Sequence, residues 1–295
     1  MSTGVSLGDQ AAGERELAFA LLAGPAAGGA RRATRSLLRS GRSQILDLIA
    51  HLPAPDRENA EATAARLWER GVRPLLCDDP RYPDSLRRFS GAPPALFCLG
   101  PMELLERPAV GVCGSRDASD GGIRAARACG AEAARLGIAV VSGYAKGVDT
   151  AGHLAALEAG GTTIAVLAEG IDHFRMKAPY RELGTAVGAN MLVVSQFPPA
   201  QRWTAGAAMT RNQVIVGLSR ALVVVEARDT GGTLKAGEVA LRGSRPVFVL
   251  DSMGSASPGN QRLISAGGRH VADRRELRAL LQQLRVEQAP LLPID

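Results

Sequence analysis

Residues 108–122 read PAVGVCGSRDASDGG: an apolar run from Ala109 to Cys113, a glycine, then Ser115 and Arg116, and a small polar stretch leading into Asp120. A run this short, apolar on both pleat faces, has the pattern of a parallel strand covered on both sides. The Gly-Ser-Arg that follows stands where such a strand turns over into a helix, with Ser119 placed to cap it. Free N–H groups at a helix start favour an anion, and the planar fork of an arginine suits phosphate oxygens. A tight turn carrying a solvated arginine has the same sequence, so the surrounding pattern has to decide.

That pattern repeats. Similar runs follow as IAVVS (138–142), TIAVLA (163–168), MLVVS (191–195), ALVVVE (221–226) and PVFVL (246–250), separated by amphipathic stretches such as DGGIRAARACGAEAARLG (120–137) and DTAGHLAALEAGG (149–161). Strand and helix in alternation predict an α/β fold, an extended Rossmann-like doubly wound parallel sheet, in which ligands bind outside the carboxyl ends of the strands. Upstream, ERELAFALLAG and RRATRSLLRSGRSQILDLIAHL carry helical spacings, and residues 74–101 read as a connecting segment with a short helix and the strand ALFCLG. The expected division is a small helical N-terminal domain over 1–72, a Rossmann-like domain over 73–275 and a C-terminal helix or tail over 276–295.

The strand ends therefore hold the candidate site. The first contributes Gly114, Ser115 and Arg116; the second Ser142, Gly143, Lys146 and Gly147, two glycines bracketing a lysine. Asp149 is expected to cap the next helix, and His153 one turn on reads as a packed histidine. The fifth run leads into Thr230, Gly231, Gly232 and Thr233, hydroxyls beside glycines that allow close backbone approach. Arg211 and Asn212, placed at the expected start of a helix, suit phosphate and base-edge contacts.

Bulk properties agree with a polyanion partner. Of 295 residues, 35 are Lys or Arg against 29 Asp or Glu, a net charge of +6, and only Lys146, Lys177 and Lys235 are lysines. The arginine excess suits phosphate but also follows from a GC-rich genome. Cys77, Cys98, Cys113 and Cys129 are widely spaced, without Cys-x-x-Cys or a histidine at ligand spacing, which predicts buried thiols and no metal site. No apolar run approaches the ~20 residues a bilayer needs, and no secretory pattern opens the chain, so a cytoplasmic location away from the membrane is expected. No G-x-G-x-x-G or P-loop is present and no G-x-S-x-G elbow follows any of the strand runs, so no catalytic residue is assigned.

Five collinear blocks, VGVCGSRDAS, VVSGYAKGVDTAGHLAALEAGGTTIAVLAEGID, TRNQVIVGLS, VVVEARDTGGTL and GNQRLISAGG, together resemble the DNA-processing protein A family (DprA, also called Smf) through roughly residues 80–271. The resemblance implies an extended Rossmann domain that binds and protects single-stranded DNA without a cofactor, forms a homodimer, and loads the RecA recombinase during natural transformation. It carries DNA contact onto Ser115, Arg116, Ser142, Gly143, Lys146, Gly147, Arg211 and Asn212. The chain departs from the family pattern at Ala208-Met209, where Phe-Pro is usual, and at Gln213, where a second arginine is usual. Loss of an aromatic platform costs ~1 to 3 kcal/mol per stacked base. Trp203 is open to two readings, a substitute platform or a core residue.

An alternative keeps the same fold for a nucleotide sensor or a phosphoribohydrolase-type enzyme. TGGTLKAGE places Glu238 at the spacing of that family's catalytic glutamate, although Leu234 and Lys235 stand where Gly-Thr is expected.

Overall fold

The structure, a computed structural model, describes residues 6–184, 189–250 and 257–286. Helices come first: α1 Leu7–Ala26, α2 Ala30–Ser40, α3 Ser43–Ala50 and α4 Ala54–Glu69. Then come β1 Val72–Leu76, α5 Asp84–Arg87 and β2 Ala95–Leu99. The alternating part runs β3 Ala109–Gly114, α6 Asp120–Arg135, β4 Ala139–Ser142, α7 Val148–Glu158, β5 Thr163–Val166, α8 Ala178–Glu182 and β6 Met191–Ser195. It continues through α9 Ala205–Leu218, β7 Ala221–Val225, α10 Gly232–Arg242, β8 Val247–Leu250, α11 Pro258–Ser265, β9 Arg269–Val271 and α12 Arg274–Val286. The expected C-terminal tail beyond residue 286 lies outside the described residues.

All nine strands form one sheet in the order β1-β2-β6-β5-β4-β3-β7-β8-β9, parallel from β3 onward, with β2 antiparallel to β6 and β1 antiparallel to β2. The chain builds outward from β3 to β6 and then returns to the other side of β3 at β7, which is the doubly wound topology the alternation predicts. The reversal of order lies between β3 and β7, where Val112 pairs with Val223. A crevice opens beyond the carboxyl ends of such a pair because the flanking connections leave in opposite directions.

The central strands are short apolar runs rich in valine because both faces are covered. Val110, Val112, Val140, Val223 and Val225 meet α6, α7 and α12 on one face, while Val141, Ile164, Leu222 and Val224 share the other core with α9 and α10. Each fully buried side chain of this kind stabilises by roughly 1.5–3 kcal/mol. Leu17, Leu37 and Leu67 of the N-terminal helices are buried in that second core too, continuous with Leu75 of β1 and Leu96 of β2.

Two strands depart from the sequence reading. β1, VRPLL, straddles the start of the segment read as a connection; it is an edge strand, where Pro74 is tolerated because one row of N–H groups has no ladder partner. β9 is a three-residue edge strand at the opposite end. All four cysteines are buried and unpaired, and burial pushes each thiol up to about 12. Among the described residues no helix is long and apolar enough to cross a membrane.

Candidate functional site

Three strand-to-helix turns meet at the reversal point, and backbone bonds hold them together. Ser115 N–H donates to Val225 O at 3.3 Å, and Val148 N–H donates to Ser115 O at 3.2 Å, tying the β3 turn to the ends of β7 and α7. Thr233 Oγ1 donates to Gly114 O at 3.1 Å, and Asn212 Nδ2 donates to Gly232 O at 3.1 Å, bringing in α10 and α9. Gly147 adopts φ +71°, and a side chain there would strike Ser115 O and Arg116 O, so its role is to let two turns close on each other.

The result is a furrow of two adjoining cavities. The first, about 520 Å3, is lined by Gly114, Ser115, Arg116, Arg211, Asn212, Glu226, Arg228, Thr230, Gly231, Gly232 and Thr233, among others. The second, about 560 Å3, lies over the ends of β4 and β5 and is lined by Gly143, Lys146, Glu169, Arg175 and Lys177. Arg116, Asp117, Ala145, Trp203 and Arg211 line both. Arg116, Lys146 and Arg211 therefore meet on one face of the molecule.

Ser142 and Gly147 do not line the furrow. Ser142 is fully buried and its hydroxyl donates to Val112 O at 2.6 Å, because the strand's period turns it into the sheet. Arg211 and Asn212 do not start a helix either. α9 begins at Ala205, capped by Thr204 Oγ1 accepting from Ala207 N–H at 3.0 Å, so Arg211 sits well inside it. Its guanidinium turns under the β4 turn and donates to Val166 O at 2.9 Å, with the residue only 5% exposed.

Asp149 does not cap α7, which starts at Val148 after Gly147 and has no side-chain cap. Its carboxylate instead accepts from Gly143 N–H at 3.1 Å and Ala145 N–H at 3.3 Å, bracing the β4 turn from below. Burial raises the Asp149 carboxyl and opposes the charge on Arg211, and their mutual attraction acts against both effects. Arginine keeps its proton in proteins, so Arg211 keeps a guanidinium charge beneath the furrow, with the Asp149 carboxyl close enough to attract it.

The anion expected at the start of α6 is supplied by the chain itself. Glu226, at the end of β7 with φ +52°, accepts from Ser119 N–H at 2.8 Å and from the Ser119 hydroxyl, while Ser119 Oγ accepts from Gly122 N–H at 3.1 Å. A carboxylate at a helix N-terminus is favourable by roughly 0.3–1 kcal/mol. It thereby takes up the Ser119 N–H and hydroxyl, while the Arg116 guanidinium stays exposed on the same turn.

Other lining residues carry no motif in the sequence. Lys177 reaches the furrow from the segment before α8; its ammonium lies 4.3 Å from the Tyr144 ring centre and donates to Tyr144 O, and burial holds it below the ordinary lysine range. Trp203, open between two readings, is 47% exposed, and the Arg116 guanidinium lies 5.4 Å from its ring centre. It is not a core residue. His153 is packed as expected: it is fully buried, Nδ1 bonds the Thr163 hydroxyl, and burial drives the imidazole down to about 3. Glu238 lines a separate groove with Arg262, 3.4 Å away, so the glutamate of the enzyme alternative does not face the furrow.

Comparison with known proteins now has a site to attach to. The sequence model described as "DNA recombination-mediator protein A" matches residues 73–282. The DNA processing protein DprA of Streptococcus pneumoniae is 36% identical over 203 residues, covering 68% of this chain and 71% of that protein. Protein Smf of Escherichia coli is 33% identical over 234 residues, 77% of this chain and 61% of that protein. The X-ray structure of the S. pneumoniae protein superposes with a TM-score of 0.68 at 27% identity, covering 94% of this chain and 98% of that one. The Helicobacter pylori DNA processing protein A, described for its single-stranded DNA binding mode, superposes at 0.61 with 23% identity, covering 68% of this chain and 93% of that one, which speaks to the fold alone. Five blocks read in sequence, a doubly wound sheet and a match through most of the chain agree: this protein belongs to the DNA processing protein A (DprA/Smf) family of DNA recombination mediators.

Proposed function

We propose that the furrow binds single-stranded DNA through its sugar-phosphate chain, with Gly114, Ser115, Arg116, Gly143, Lys146, Arg211, Asn212, Thr230, Gly231, Gly232 and Thr233 forming the contact surface. The observation that carries this reading is the second cavity, whose lining brings five basic side chains, Arg116, Lys146, Arg175, Lys177 and Arg211, against two acidic ones, Asp117 and Glu169. Phosphate neutralisation of this kind releases counterions and favours no particular sequence. Family membership supports a role in recombination, and the cationic lining supports a phosphate-bearing strand as the ligand.

On this reading the protein protects the strand without a cofactor or a catalytic step, acts in the cytoplasm as a homodimer, and passes the strand to RecA. The test is an anisotropy titration of labelled single strands against duplex at two salt concentrations, with nucleoside monophosphates followed for base release. Affinity that rises with strand length and falls steeply with salt is expected. Preference for duplex, or release of free base, overturns the reading.

A further inference from the structure

Arginines in the N-terminal part of the chain divide into those the fold ties down and those it leaves in water. Arg42 reaches Glu16 at 2.9 Å and Asp78 at 3.1 Å, Arg57 donates to Ala50 O at 2.7 Å, Arg66 and Arg70 meet Asp172, and Arg73 lies over the Trp68 ring. Arg31, Arg32, Arg35 and Arg39 of α2 are all exposed, and among the described residues none of the four has an ion-pair or hydrogen-bond partner. At ~3.6 residues per turn these four positions fall within about 100° of one another, in a row about 12 Å long, while Ala33, Thr34 and Leu37 face the core on the other side.

As a merely solvated face the row works against its own helix. Arg31 with Arg35, and Arg35 with Arg39, are like charges four residues apart, which repel along a helix. Arg31 and Arg32 stand in the first turn, where the helix dipole disfavours cations, and Gly29 brings no side-chain cap. α2, ARRATRSLLRS, holds no acid to offset them. A one-signed row of planar guanidinium groups is what a chain of phosphates needs. A membrane is the poorer fit, because an interfacial helix must sink its apolar face into lipid and the apolar face of α2 is already in the core.

The row also lies close to an anionic chain in the reading above. Thr34 Oγ1 donates to Ala92 O at 3.1 Å, and Gly91 beside it leaves room for the side chain of Gln213, whose Oε1 would stand 1.9 Å from a Cβ there. One loop thus separates α2 from α9, the helix that carries Arg211 and Asn212 into the furrow. We propose that the arginine face of α2 is a second phosphate-contact surface, engaged by the same single strand where it continues beyond the furrow. The proposal rests on the single-stranded DNA reading and extends it to the N-terminal helices. A strand already held in the furrow meets α2 as an intramolecular partner, so modest contacts there add substantially to affinity.

The test compares a labelled deoxythymidylate hexamer with a strand several times longer, over a range of salt, on the full chain and on the triple variant Arg31→Gln, Arg35→Gln, Arg39→Gln. Glutamine matches arginine in helix propensity, and the change removes two repulsive pairs, so the urea midpoint should be no lower than the parent's. The variant should bind the long strand about ten- to a hundredfold more weakly at low salt, with the slope of log K against log salt shallower by about 2, and bind the hexamer as the parent does. The corresponding triple lysine variant should keep the parent's slope. A parent that gains nothing from the longer strand, a glutamine variant with unchanged long-strand affinity, or one that loses hexamer and long strand equally overturns the proposal and leaves the furrow reading standing. Loss only of binding to phosphatidylglycerol vesicles assigns the face to a membrane and overturns it too. Failure of the parent to bind either strand overturns the furrow reading, and this proposal with it.

Discussion

The guanidinium of Arg211 occupies the space that a side chain at Gly143 would need: a Cβ built there would fall 1.5 Å from Nη1. Glycine at 143 and arginine at 211 are one unit, the first making room and the second filling it with charge. Gly143→Ala should therefore expel the guanidinium and leave Asp149 buried beside an uncompensated turn. The expected loss is roughly 1–3 kcal/mol, as for overpacking a filled site. Arg211→Ala should cost a similar amount, and the double variant much less than the two summed, measured by urea unfolding.

Arg116 is exposed and hydrogen-bonds to nothing that holds the fold. Arg116→Ala should leave the unfolding midpoint unchanged while lowering single-strand affinity at every sequence tested. Removing one phosphate partner should also reduce the slope of log K against log salt by about 1. Unchanged binding at low salt would remove this residue from the contact surface.

Glu226 and Gly122 make a second interlocked pair, since a Cβ at Gly122 would fall 2.6 Å from the Glu226 carboxyl carbon. Gly122→Ala should displace the carboxylate from the start of α6, and Glu226→Gln should remove its charge. Each is expected to lower stability by about 1 kcal/mol, the usual worth of a helix N-terminal partner. Glu226→Gln should in addition strengthen strand binding, because a negative charge leaves the furrow; weaker binding would count against the furrow as the anion site.

Acid should destabilise the protein through two named groups. His153 is buried and neutral with its imidazole lowered to about 3, so between about pH 6.5 and 3 only the unfolded chain binds this proton. Stability therefore falls as pH drops through that window, by roughly 3 kcal/mol on reaching pH 4. Asp172 is held below the usual carboxylate range by hydrogen bonds and attraction from Arg66, at 2.7 Å, and Arg70. Its contribution is present above about pH 4 and lost below it. Unfolding measured against pH should show a flatter profile in His153→Phe across the upper window and in Asp172→Asn across the lower one.

The strands β3 to β8 were legible because strands buried on both faces are spelled as unbroken apolar runs. β1 was not, since Arg73 and Pro74 interrupt the run and only its place at the sheet edge makes proline acceptable. The turns of the site were legible as glycine-rich strand ends, but the direction of each side chain was not. Ser142 faces inward by strand parity, and Arg211 lies inside a helix whose small and apolar residues on every side give no sign of which face is buried. Glu226 illustrates the remaining limit. Its partner Ser119 lies 107 positions away, and its positive φ follows from packing, not from residue type.

One apolar interior runs without a break from Leu17 and Leu67 of the N-terminal helices into the β1–β2 edge of the sheet. A protease should accordingly find no cleavable hinge near residue 72. Shortening the gene to begin there should strip the cover from Leu75 and Leu96 and yield a sticky, poorly recovered product.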